Sequence, residues 1–193
     1  MNRQLPFEWG GKRAASCAAV LTAVALAAAA ATAGPVAAAA SPLAALRFLV
    51  GSWRGEGSGQ PGTGNGRDSF RFDLDGRVLV RRSHAEYPPS GGRPAVVHDD
   101  LMVIYPAPGG VGLAAAYFDN EGHVIRYEGA VSPDGRRAVF TSAAQPGAPR
   151  FRLTYSQAGA DTVNVTFEIA PPGAPEAFKP YVSGRSRRVE SER

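Results

Sequence analysis

The residues best suited to chemistry in this sequence are three histidines, His84, His98 and His123. His98 is followed by Asp99 and Asp100, and on an extended strand the side chains of His98 and Asp100 would share one face because alternate residues point the same way. A histidine beside a carboxylate is a common general acid or base. The pattern therefore leaves open a hydrolase or isomerase that uses His84 or His98 with Asp100.

Metal and nucleotide chemistry are not indicated. The histidines do not share the spacing of a metal site, and a single cysteine, Cys17, cannot build a thiolate site. Residues 119–123 are acidic but lack the alternating ligands of a calcium loop, so they predict a turn. Residues 57–62 fit G-x-G-x-x-G, but no helix pattern follows, which favours a flexible loop over a dinucleotide site. We expect no bound metal ion.

Most of the chain consists of short alternating segments that predict β-strands. In the clearest segment, residues 161–170, four apolar side chains alternate with polar ones. Turn pairs such as Asp75-Gly76 and Asp134-Gly135 separate the segments. About ten strands without helical crossovers predict an all-β fold, an antiparallel up-and-down β-barrel, with a sandwich as the structural alternative. Residues 58–66 and 171–180 are predicted loops at its mouth.

A short helix is predicted before the first strand. Ser41 is a good N-cap, and a proline fits the first helical position. Leu43, Leu46 and Leu49 then recur at helical spacing, and Gly51 ends the pattern.

Residues 1–40 have the composition of a cleaved signal peptide. Arg3, Lys12 and Arg13 precede an uncharged, alanine-rich run that ends in small residues. Cleavage after Ala33 or after Ala40 fits, and the alternative of a membrane anchor is less favoured because alanine is only weakly apolar. We expect an exported protein, periplasmic or extracellular, with no stable membrane span and a single domain at residues 41–193.

Removal of residues 1–40 changes the charge and the cysteine content. The whole chain has 193 residues and a net charge of +4, whereas residues 41–193 carry 18 basic and 16 acidic residues, a net charge of +2, and no cysteine. This domain is too long for a disulfide-stapled mini-protein and too apolar for a disordered chain. Its paired arginines lack interleaved aromatic residues, so we expect no nucleic-acid partner.

A ten-residue stretch, Phe-Leu-Val-Gly-Ser-Trp-Arg-Gly-Glu-Gly, carries a resemblance to known proteins. A short helix followed by Gly-x-Trp resembles the opening of calycin-superfamily barrels, and the chain resembles exported bacterial lipocalin-like domains of unknown function. The resemblance implies that Trp53, two residues after Gly51, packs at the closed end against an arginine of the last strand. The available arginines are Arg185, Arg187 and Arg188.

The string Trp-Arg-Gly-Glu-Gly is also similar to the nitrobindins, haem-binding barrels of ten strands, and the similarity extends to Pro94 and the His98 region. Nitrobindins bind the haem iron through a histidine that begins the last strand. Here that place is held by Tyr181, and no histidine follows His123. Tyrosine can ligate haem. The resemblance therefore implies haem as an alternative, whereas the residues themselves indicate no cofactor.

A barrel of this size can enclose a small ligand. We therefore predict an exported, non-catalytic protein that holds an apolar or amphipathic molecule in its lumen. The alternatives are an envelope enzyme with a His/Asp pair in the barrel mouth and a filled barrel that acts as an interaction module. The predicted ligand-binding residues are Arg82, His84, Tyr117, Arg126, Tyr155 and Tyr181.

Overall fold

The computed structural model describes residues 41–60 and 62–190. The predicted signal peptide, both predicted cleavage sites and Cys17 lie outside these residues. No helix in the described part of the chain is long and apolar enough to cross a membrane.

Ten antiparallel strands form a closed barrel and confirm the predicted fold class. They follow one another around the barrel in sequence order, and the barrel closes where β1 pairs with β10. Because the barrel closes, none of these strands has an unpaired edge within residues 41–60 and 62–190. The strands are β1 (Gly51–Gly59), β2 (Gly64–Asp73), β3 (Val78–Tyr87), β4 (Val96–Pro106), β5 (Leu113–Asp119), β6 (Val124–Val131), β7 (Arg137–Ser142), β8 (Arg150–Gly159), β9 (Thr162–Ala170) and β10 (Lys179–Val189).

The predicted helix is a 3₁₀ helix, Pro42–Leu49, whose leucines join the barrel core. A 3₁₀ helix has three residues per turn, so Leu43, Leu46 and Leu49 fall on one face, and all three are buried. The hydroxyl of Ser41 accepts a hydrogen bond from the backbone N–H of Leu43 at 3.4 Å.

Trp53 and Arg188 join this helix to the first and last strands. The indole Nε1 of Trp53 donates to the Leu49 carbonyl at 2.7 Å, and the guanidinium carbon of Arg188 lies 4.2 Å from the centre of the indole. Arg188 also donates to the carbonyls of Val50 and Phe48. The backbone at Gly51 has φ 128°, and a Cβ there would lie 2.5 Å from Nη1 of Arg188, so only glycine fits.

The replacement Arg188→Ala is expected to lower the free energy of unfolding by about 2–3 kcal/mol, because it leaves two carbonyls without their donor and removes a cation–π contact. Urea denaturation measures the change. The matched control is Arg187→Ala, since Arg187 is exposed on the outer face of the same strand, and that change is expected to stay within about 0.5 kcal/mol. Equal losses in the two variants would contradict the bridging role of Arg188.

Residues 58–66, which are rich in glycine, were predicted to form a loop, but the loop in the structure is shorter. β1 continues to Gly59 and β2 begins at Gly64, so most of the segment pairs as strand. Gly57 pairs with Gly64 and Gly55 with Gly66, and none of the four has a side chain that would hold the two backbones apart. The segment was predicted as a loop because glycine is rare in strand interiors, where it normally weakens the strand.

Candidate functional site

The barrel interior is filled at the helix-capped end and open at the other. Trp53, Leu79, Ile104 and Phe140 are among the side chains that pack the closed half, each at most 2% exposed. Above them lies a lumen of about 720 Å³. This volume lies within the range of small-molecule pockets in proteins.

One side of the lumen is aromatic. Phe151 and Phe167 stack with ring centres 5.9 Å apart and planes 9° from parallel, and the ring of Tyr181 meets Phe167 edge-on at 6.2 Å. Tyr127 lines the same lumen and is 3% exposed. We call these four residues the aromatic wall. Aromatic faces bury large areas at little cost in conformational entropy, so this wall suits an apolar ligand body.

Another side of the lumen carries almost no side chains. Gly55, Gly57, Gly64, Gly66 and Gly184 line it from three adjacent strands, and we call them the glycine wall. A Cβ on Gly66 would lie 2.7 Å from the carbonyl oxygen of His84, so the strand backbones approach too closely for a larger residue. The missing side chains leave the space that the lumen occupies.

A buried ion-pair cluster forms part of the lumen floor. Nε and Nη2 of Arg81 donate to the same Asp68 oxygen at 3.1 and 2.8 Å, and Nη1 donates to Asp100 at 2.7 Å. Burial lowers the pKa of Arg81, but electrostatic interactions with Asp100, Tyr155 and Asp68 outweigh burial and raise it well above its usual value. Burial raises the pKa of Asp100, and the Arg81 charge partly offsets this rise.

Histidines and acids from β4 to β6 form the rim of the lumen. The two ring nitrogens of His98 lie 3.0 Å from a Glu121 carboxylate oxygen and 2.9 Å from the Tyr117 hydroxyl. Nε2 of His98 is 3.8 Å from Asp100. These contacts fix the imidazole at the mouth, between the floor cluster and the turn that follows β5.

Asp119 is held at the same rim by the turn. Burial acts to raise its pKa, but hydrogen bonds from the backbone N–H and the ring of His123 and from the Glu121 N–H lower it below the usual value. The hydroxyl of Tyr117 also donates to Asp119, at 3.4 Å. Burial raises the pKa of Tyr117. Asp119 is therefore a charged carboxylate at the rim, and Tyr117 a neutral hydroxyl.

Three of the predicted ligand-binding residues lie outside the lumen. Arg82 alternates with the inward-facing Arg81 and Ser83, and His84 alternates in the same way, so both point to the outer surface. Arg126 is exposed between two residues that line the lumen. The sequence left the inward face of these two strands undetermined, because both faces of each strand mix polar and apolar residues. The structure corrects the lumen position predicted for all three.

On the outer surface, Arg82 and His84 line a shallow groove. The ring of His84 lies 3.0 Å from Glu86 and 2.7 Å from Asp99, and the hydrogen bonds that these two carboxylates accept from the ring raise its pKa. The predicted enzyme pair of His84 with Asp100 is therefore absent, since the two side chains lie on opposite faces of the sheet.

The three predicted tyrosines occupy different depths. Tyr117 and Tyr181 line the lumen, Tyr117 near the floor cluster and Tyr181 at a bulge near the mouth. Tyr155 lies below the lumen, 1% exposed, with its ring edge against Phe70 and Phe140. Ligand binding by Tyr117 and Tyr181 stays a prediction.

The floor cluster was not predicted from the sequence as a unit. Asp68 and Arg81 of this cluster, and Asp119 of the rim, each lie on the inward face of a strand whose other inward residues are mainly apolar. Each of these charged residues is separated by an even number of positions from the apolar residues of its strand, so it faces the same side as they do. This spacing is the signal in the sequence that identifies the three residues. Among residues 41–60 and 62–190, no group of His, Cys, Asp or Glu side chains has the geometry of a metal site.

Comparisons with known proteins support the fold. No protein-family profile matches the chain, and no curated protein matches it. Among solved structures, the crystal structure of Rv2717c from M. tuberculosis aligns with a TM-score of 0.59 and 16% identity over 78% of this chain and 99% of that one. The S-type phycobiliprotein lyase CPES from Guillardia theta aligns with a TM-score of 0.46 and 14% identity over 75% and 90% of the two chains. The similarity to Rv2717c supports the ten-stranded antiparallel barrel fold.

Proposed function

We propose that this protein binds a small apolar or amphipathic molecule in its lumen and does not catalyse a reaction on it. The observation that carries the proposal is a lumen of about 720 Å³ between the aromatic wall and the glycine wall. A filled interaction module would have packed this space with side chains, as the closed half of the same barrel is packed. An open volume with apolar sides and a few polar groups is the usual form of a ligand site.

The mouth offers an entry path from solvent. The connections β1–β2 and β3–β4 meet there, where Arg93 donates to the carbonyl of Gln60. Tyr87 and Pro88 line the lumen beside this contact. A ligand would pass between these connections and the β5–β6 turn.

Haem is a separate hypothesis that came from the nitrobindin resemblance. Among the residues that line the lumen, Tyr181 holds the place that the resemblance implies, and His98 is the histidine 3.8 Å from the floor carboxylate Asp100. Both ring nitrogens of His98 already contact Tyr117 and Glu121, and Tyr181 is 36% exposed near the mouth with its ring against Phe167. These contacts fit haem poorly, and we propose a ligand without iron.

A titration of residues 41–193 with Nile red, a neutral apolar dye, tests the proposed function. We expect a saturable rise in fluorescence with a blue shift at one dye per protein, because the dye leaves water for the aromatic wall. Absorbance during a parallel haem titration should show no stoichiometric haem band. A purely linear response to Nile red would contradict binding in a defined lumen.

We also propose that the protein is exported, which rests on residues 1–40 alone. The intact mass of the protein recovered from a bacterial envelope fraction should correspond to cleavage after Ala33 or Ala40. A mass that retains residues 1–40 would contradict export with cleavage.

A further inference from the structure

Three carboxylates face the lumen in one row across adjacent strands. Asp68 pairs with Ser83, Ser83 with Asp100, and Asp100 with Asp119, so the row runs from β2 to β5. Directly opposite residues in a sheet have Cβ atoms about 4.5–5.5 Å apart, and like charges in this arrangement repel. Asp100 and Asp119 are 5% and 3% exposed, so little water screens them.

The lumen has too few cations to balance this row. Arg81 is already shared between Asp68 and Asp100, and its three nitrogens all donate to them. Three of its five N–H groups are therefore already engaged by these two acids. The lumen and its mouth are lined by five acidic residues and two arginines, but Glu56 is exposed and alternates with the inward-facing Gly55 and Gly57. Four carboxylates then face two guanidinium groups, a formal charge of −2 with the histidines counted as neutral: Asp68, Asp100, Asp119 and Glu121 against Arg81 and Arg93.

A second observation at the floor is independent of these acids. The hydroxyl of Tyr155 is buried, and within the described residues it has no hydrogen-bond partner. Its ring meets Phe70 edge-on at 5.5 Å, and Phe70 lies two residues after Asp68 on the inward face of β2, so Tyr155 packs directly beneath the floor cluster. Buried hydroxyls normally have a partner, so the floor holds polar capacity that the protein itself does not use.

We propose that the lumen selects amphipathic ligands with a cationic head, such as a primary or quaternary ammonium, over ligands with an anionic head. The ammonium group lies at the row of Asp68, Asp100 and Asp119, and the apolar body lies along the aromatic wall toward the mouth. The ammonium offsets the unbalanced charge, whereas a carboxylate adds to the repulsion in a partly desolvated site. This inference rests on the proposed function and names the class of its ligand.

The test compares three ten-carbon probes that differ only in the head group: decylammonium, decanol and decanoate. Each displaces Nile red from residues 41–193 at neutral pH, below the concentration at which the probe forms micelles. We expect decylammonium to bind most tightly, decanol next and decanoate least, with at least about a tenfold difference between the charged probes. Equal or tighter binding of decanoate would overturn the inference while lumen binding stands.

Two variants assign the selectivity to the lumen charges. Asp100→Asn and Glu121→Gln should each reduce the preference for decylammonium over decanoate several-fold. Glu121 lies in an exposed turn, so its variant keeps the test valid even where Asp100→Asn fails to fold. The matched control is Asp99→Asn, which removes a carboxylate from the outer face of the same strand and should leave the preference unchanged.

The outcomes separate the two proposals. A preference that is unchanged in folded Asp100→Asn or in Glu121→Gln would overturn the assignment to these charges. If neither Nile red nor any of the three probes binds, the proposed function itself fails.

Discussion

Replacement of Arg81 with methionine is expected to lower the free energy of unfolding by about 3–5 kcal/mol, the usual cost of breaking a buried ion pair by removing one partner. The side chain of Arg81 is 11% exposed and donates to two carboxylates that are 16% and 5% exposed. Without the guanidinium, Asp68 and Asp100 face each other across one strand with no cation between them. Urea denaturation followed by tryptophan fluorescence measures the loss.

The triple variant Asp68→Asn/Arg81→Met/Asp100→Asn separates charge from packing. If the loss comes from unpaired buried charge, the triple variant should recover most of the stability, because buried ion pairs are often replaceable by neutral groups. The outer-face change Arg82→Met is the matched control and should stay within about 0.5 kcal/mol. A triple variant as unstable as Arg81→Met alone would show that the loss is one of packing.

Filling the lumen from the side of β3 is expected to abolish ligand binding. Ala85 faces the lumen beside Gly66, and the variant Ala85→Phe places a ring in the space that a ligand body would occupy. We expect the affinity for Nile red to fall more than about tenfold, since the ring competes directly for the volume. The lumen is open, so the ring can be accommodated and the thermal unfolding temperature should change little.

The matched control places the same ring on the outside of the barrel. Ala130 is exposed and alternates with inward-facing residues of β6, so Ala130→Phe adds a phenylalanine without entering the lumen. Nile red should bind this variant as it binds the unchanged protein. Undiminished binding by Ala85→Phe would place the dye site somewhere other than the lumen.

The fold was predictable because the strands alternate over long enough stretches. β9 is the clearest case, where Val163, Val165 and Phe167 repeat at every second position. The short helix was predictable from its leucines, but its 3₁₀ form depends on how they pack into the barrel end. The glycine-rich start of β2 was missed, because glycine pairing becomes favourable only when two glycine strands meet in the closed barrel.

The site was less predictable, since it depends on which face of each strand points inward. Arg81 and Arg82 are adjacent arginines, yet one is buried in the floor cluster and the other lies in the outer groove. A shift of one residue exchanges the two faces of a strand. Asp68 lies two residues before Phe70 and Asp100 two residues before Met102, so each acid faces the same side of its strand as a buried apolar residue. The inward position of both acids could therefore have been predicted from the sequence.

The sequence did not predict which residues pair with each other across neighbouring strands. Arg81 contacts Asp68, 13 positions before it, and Asp100, 19 positions after it. Both contacts depend on the register of β2, β3 and β4. The row from Asp68 to Asp119 depends on the same register. For the same reason the sequence did not indicate the charge of the lumen.

A crystal structure of residues 41–193 with the tightest-binding ten-carbon probe would locate the ligand site. We expect electron density for one probe inside the barrel, with its chain against Phe151 and Phe167 and its head within hydrogen-bond or ion-pair distance of Asp100. Density in the outer groove beside Arg82 and His84, with only water in the lumen, would contradict it.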